Sequence, residues 1–264
     1  MKDFIHDTTA YSPVNACWLG QAALLAYENE TRVAAGVKAW GMKKCAFISE
    51  RETQCFVAAD NKKIILAFRG TEPNKLRDWM SDARVVQVSG PFGKVHKGFD
   101  RALRAVWPRV QDTIVQFRDR AQSLWITGHS LGGALALLAM AYLRDEDRPV
   151  YGLYTFGEPR VGNRTFERNF NQDCRALCFR FVNNNDVVTR VPLRAMNYSH
   201  VGTCLYFDSR GKIHYDLSRW LRFLDSVEGS IRDLGKLGPD ALKDHAMTTY
   251  ARLLKKNEGR NPFD

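Results

Sequence analysis

The sequence predicts an α/β chain: a mostly parallel central sheet covered by helices on both faces. Three observations carry this. Several short apolar runs are nearly continuous, as in strands buried on both sides. They are "KKIILAFRG" (62–70), "SLWIT" (123–127), "VYGLYTF" (150–156) and "RALCFRFV" (175–182). Amphipathic, helix-length segments alternate with them, the arrangement of parallel α/β units. Finally, 264 residues, 45% of them hydrophobic and 26% charged, suffice for a large buried core. No repeat, low-complexity tract or Pro/Ser linker divides the chain, so one domain over residues 1–264 is expected.

Taken in order, "ACWLGQAALLAY" (16–27) reads as a buried helix. It follows an acidic lead without a basic n-region or cleavage site, so it is not read as a signal peptide. "KCAFISE" and "TQCFVAAD" read as antiparallel strands at the front of the sheet. Ile64–Phe68 is wholly apolar and forms the first fully buried strand. "FDRALRAVWPRVQDTIVQFRDR" (99–120) is an amphipathic helix that Pro108 is expected to bend or divide. A second helix covers 131–143. After Asn183 the pattern loosens into a hairpin ("HVGTCLYFD", "GKIHYD") and C-terminal helices.

Net charge is +10. The densest basic group is Arg252, Lys255, Lys256 and Arg260, with no basic–aromatic nucleic-acid module, so no nucleic-acid partner is expected. A solvated basic surface is one reading; attraction to an anionic lipid surface is the sharper one. The six cysteines lack paired metal-ligand spacing, so no metal is expected; most read as plain buried thiols, with a structural disulfide as the alternative. No apolar run is long enough to cross a bilayer. The expected compartment is the cytoplasm, with non-classical secretion as the alternative. Oligomeric state is not legible.

"WITGHSLGGALALLAM" (125–140) carries the chemistry. A Gly-x-Ser-x-Gly match alone arises in roughly one chain in ten of this length. Here, however, a buried strand delivers Ser130 and a helix leaves it, the strand–turn–helix setting of a nucleophile elbow. Gly128 and Gly132 remove side chains that would clash in that turn. A serine hydroxyl needs a base to take its proton. In α/β-hydrolases the order is Ser, then Asp or Glu, then His. His200, His214 and His245 qualify. His214 lies in a hairpin strand and His200 just before a strand; His245, at a loop-to-helix junction after the last strand, is best placed. For the acid, Asp186 follows the fourth buried strand in "RFVNNNDVVTRVP". Asp173, Asp208 and Asp216 fall before or beyond the expected strand end.

With these residues in place, the chain resembles the class 3 (fungal-type) triacylglycerol lipases of the α/β-hydrolase superfamily. The resemblance runs from about Ile64 to His245. It rests on ordered motifs: "FRGT" (68–71), "DWMSD" (78–82), "KVHKGF" (94–99), "GHSLGGALA" (128–136), "TFGEPRVGN" (155–163), "NNNDVVTRVP" (183–192) and "DHAMTTY" (244–250). It implies an α/β-hydrolase fold and ester hydrolysis by Ser130, Asp186 and His245 without a cofactor. His96 and His129 match family positions outside the triad. The resemblance also implies an oxyanion hole from Leu131 and Thr71, with Asp82 holding the threonine hydroxyl. It implies a lid over 72–83, where Leu76, Trp79, Met80 and Ala83 share one helical face. Acylglycerols, met at a lipid–water interface, are the expected substrates. Phospholipid sn-1 esters and feruloyl esters are alternatives within the same chemistry. A non-catalytic lipid-binding or signalling module on the same fold is the alternative of another class.

Overall fold

The computed structural model describes residues 2–72, 86–184, 186–215 and 243–264. The expected lid residues Leu76, Trp79, Met80 and Ala83, together with Asp82 and Asp216, lie outside them.

The front strands are β1 (Lys44–Glu50), β2 (Thr53–Ala59) and β3 (Lys63–Phe68), paired antiparallel in that order. A separate hairpin follows, β4 (Gln87–Gly90) with β5 (Gly93–His96). The centre is parallel: β3 pairs with β6 (Ser123–His129), β6 with β7 (Gly152–Phe156), and β7 with β8 (Cys178–Asn183). Then β9 (Thr203–Phe207) adds parallel to β8, and β10 (Ile213–His214) closes the described edge antiparallel. The expected hairpin is therefore β9–β10, and its first strand extends the main sheet.

Strand periodicity explains the continuous apolar runs. Along β3, Ile64, Leu66 and Phe68 join one core, whereas Ile65 and Ala67 join the other. The first core is closed by α3 (Lys97–Phe117) and α4 (Leu131–Asp145). The second is closed by α1 (Pro13–Leu25), α2 (Glu30–Ala39) and α6 (Met247–Lys256). Each fully buried aliphatic or aromatic side chain contributes about 1.5–3 kcal/mol, so both faces are strongly specified.

Helix α3 is uninterrupted at Pro108, contrary to a division there. It begins at Lys97 because His96 Nδ1 accepts hydrogen bonds from the Gly98 and Phe99 amides, at 3.1 and 3.4 Å. The structure adds α2, α5 (Arg164–Cys174) and the β4–β5 hairpin to the elements expected from the sequence. Their apolar faces are narrow: α5 buries only Phe166, Phe170 and Cys174. All six cysteines are free thiols.

Candidate active site

β6 ends at His129, and the chain turns at Ser130 into α4. Ser130 has φ 57° and ψ −129°, a region disfavoured for any residue with a Cβ. Holding it there costs about 1–3 kcal/mol, which the packed strand and helix must offset. The Ser130 amide donates to the Phe156 carbonyl at the end of β7, 2.9 Å away, tying the turn to the neighbouring strand. Gly132 lets α4 start against β3. A Cβ there would stand 2.4 Å from the Phe68 carbonyl oxygen. That approach brings Leu131 beside the end of β3. Thr71, Gly70, Leu131 and Leu135 line one cavity of about 360 Å³, with Arg51, Arg69, Glu52 and Glu72 among its polar walls.

Asp186 follows β8. Its amide donates to the Asn183 carbonyl at 2.7 Å, and Thr189 Oγ1 donates to its backbone oxygen at 2.8 Å. The carboxylate is fully buried. It accepts from His245 Nδ1 at 2.9 and 3.0 Å, from the Tyr250 hydroxyl at 2.6 Å and from the Val188 amide at 3.0 Å. Burial alone would raise its pKa. The charge and hydrogen bond of His245, with the Tyr250 hydroxyl, outweigh burial and hold it below the usual carboxylate range.

His245 precedes α6 and is 4% exposed. Its loop is fastened to the end of β8, where Asn183 Nδ2 donates to the Asp244 carbonyl at 2.8 Å. With the Nδ1 hydrogen donated to Asp186, Nε2 is the ring nitrogen left to accept a proton. Both His245 Nε2 and Ser130 Oγ are buried without a hydrogen-bond partner among the described residues. The His245 ring lies 4.5 Å, centroid to centroid, from that of His129, the residue before Ser130. Gly157 makes room for the pair. At φ 58°, a Cβ there would stand 2.7 Å from Asp186 Oδ2 and 2.8 Å from His245 Nδ1.

The competing histidines are engaged elsewhere. His200 Nε2 donates to the Thr189 carbonyl at 2.7 Å, and burial, reinforced by Arg180 and Arg160, holds its pKa well down. His214 pairs with Asp208 at 2.9 Å on β10.

Three residues around the site carry no distinguishing signal in the sequence: Tyr27, Tyr250 and Glu158. Tyr250 lies within the quoted "DHAMTTY", but nothing in that motif says its hydroxyl reaches Asp186. Glu158 is buried behind Gly133, with neither carboxyl oxygen hydrogen-bonded among the described residues. Burial pushes its pKa up to about 7, against the lowering charge of Arg180.

Comparison with known proteins gives concordant results. A family model described as Lipase (class 3) matches residues 65–196. A triacylglycerol lipase of Arabidopsis thaliana is 30% identical over 249 residues, covering 71% of this chain and 48% of that protein. A secreted mono- and diacylglycerol lipase of Fusarium solani is 30% identical over 195 residues, covering 71% of this chain and 57% of that one. The chain thus spans about half the length of these relatives. A solved triacylglycerol lipase, described as having a serine-protease triad at its catalytic centre, superposes with a TM-score of 0.64. It is 28% identical and covers 75% of this chain and 82% of its own.

Proposed function

Because the chain belongs to the class 3 lipase family, we propose that it hydrolyses carboxylic esters, acylglycerols above all, through an acyl-enzyme on Ser130. His245 Nε2 takes the Ser130 proton as Oγ attacks the ester carbonyl. The resulting oxyanion is held by the amide of Leu131 and by Thr71. Each such donor is typically worth about 3 kcal/mol in the transition state. Asp186 keeps His245 in the tautomer that can accept a proton and stabilises the imidazolium that forms. His245 then protonates the leaving alcohol. In the second half it takes a proton from water, which attacks the acyl group and frees the acid and Ser130.

One observation carries this reading. The buried Asp186–His245 pair leaves Nε2 uncommitted in the same site as a buried, uncommitted Ser130 Oγ on a strained turn. The substrate class draws on the relatives, which are named as triacylglycerol and mono- and diacylglycerol lipases. The experiment is tributyrin hydrolysis across the solubility limit, with Ser130→Ala as the blank. A serine-dependent rate that climbs when droplets form supports acylglycerols met at an interface. A smooth saturating curve below that limit restricts the substrate to dissolved esters. A rate untouched by Ser130→Ala contradicts the proposal.

A further inference from the structure

The hydroxyl of Tyr27, in the turn after α1, lies 2.7 Å from His129 Nδ1. On the other side of that ring, Nε2 lies 2.6 Å from the backbone oxygen of His245. A carbonyl oxygen only accepts, so Nε2 must carry the hydrogen. Burial, with the proximity of His245 second, lowers the His129 pKa to about 3, so the ring is neutral near pH 7. Nδ1 then holds the lone pair, and the Tyr27 hydroxyl donates to it. Every hydrogen in the chain Tyr27–His129–His245 is thereby assigned.

The same hydroxyl meets the end of β3. A Cβ on Gly70 would stand 2.2 Å from it, 2.5 Å from the His129 carbonyl oxygen and 3.2 Å from Ser130 Cβ. Tyr27 therefore sits where three parts of the site converge: the residue before Thr71, the serine turn and the loop of His245. Sheet pairing asks for no hydroxyl at this point.

We propose that Tyr27 is a positioning residue: its hydroxyl locks His129 as the Nε2–H tautomer, and His129 thereby anchors the backbone of His245 beside the serine turn. The inference rests on the serine-hydrolase reading above. Without the hydroxyl, His129 is free to move its hydrogen to Nδ1. A nitrogen lone pair then faces the His245 carbonyl and the anchor becomes a repulsion. Phenylalanine at position 27 retains the ring that lies 5.7 Å from the Arg69 guanidinium and removes only the hydroxyl, with its bond to His129 and its contact with the Gly70 amide.

The test uses a fluorophosphonate probe on wild type, Tyr27→Phe, His129→Gln and the double variant, alongside ester-hydrolysis kinetics. Tyr27→Phe is expected to slow phosphonylation of Ser130 and kcat by roughly ten- to a hundredfold with KM little changed. The double variant should be no slower than His129→Gln alone, since both act through one route. A Tyr27→Phe variant that reacts at the wild-type rate overturns the proposal even if it melts earlier, because that is a structural role only. Independent, multiplying effects in the double variant overturn it too. Should His129→Gln fail to fold, the kcat-against-KM split in Tyr27→Phe decides alone. A wild-type chain unreactive at Ser130 overturns the hydrolase reading itself, and this inference with it.

Discussion

His245 donates its Nδ1 hydrogen to Asp186 across 2.9 Å, in a pair where the carboxylate has no solvent exposure and the imidazole almost none. This bond leaves Nε2 as the nitrogen available to Ser130 in the proposed reaction. Asp186→Asn should keep the shape of the site but favour the other tautomer. The expected fall in kcat is about 10⁴-fold. Steady-state ester hydrolysis checks it; a loss under tenfold contradicts the assignment.

Tyr250 should matter for stability at low pH. Its hydroxyl donates to Asp186 at 2.6 Å and accepts from the Asn183 amide at 2.9 Å. Tyr250→Phe leaves that buried amide unpaired, a loss of about 1–3 kcal/mol. It also weakens the lowering of the Asp186 pKa. A carboxylate with a lowered folded pKa contributes stability above its unfolded value, about 3.9, and loses it as pH falls through the folded one. Acid unfolding of Tyr250→Phe, followed by circular dichroism, should begin at a higher pH than in wild type. An unchanged acid midpoint contradicts this.

Gly157→Ala should abolish activity. The added methyl meets Asp186 Oδ2 and His245 Nδ1 under 3 Å, at a backbone φ that alanine resists. The expected result is a lowered melting temperature and ester hydrolysis near the Ser130→Ala blank. Wild-type rates would show that the pair tolerates displacement.

Acid sensitivity should also come from His129. Its folded pKa, about 3, lies below the unfolded value of about 6.5. The unfolded chain therefore takes up a proton that the folded one refuses. The contribution is complete above pH ~6.5 and is lost as pH falls toward 3. Urea unfolding between pH 7 and 4 should show stability falling, and His129→Gln should flatten that slope. An equal slope in both proteins refutes it.

Much of this frame is legible in the sequence because the physics is local. Ile64–Phe68 reads as a doubly buried strand from its unbroken apolar run, and "GHSLGG" reads as a strand–turn–helix from its flanks. Asp186 and His245 follow from chain order and element ends, and the fold brings their side chains within hydrogen-bond distance. Other relationships are not local. Tyr27 reaches His129 across 102 positions and Tyr250 reaches Asp186 across 64. A tyrosine that bonds a buried partner carries the same local signature as one that only packs. Burial of Glu158 was equally hidden, because a glutamate in a turn reads as exposed.

The proposed reaction requires Ser130 to carry the acyl group. Turnover of p-nitrophenyl acetate, quenched in acid and followed by peptide mass spectrometry, reads that bond. One added acetyl group is expected on the peptide containing Ser130, absent from Ser130→Ala. No adduct, or an adduct that persists on another residue when Ser130 is replaced, would contradict it.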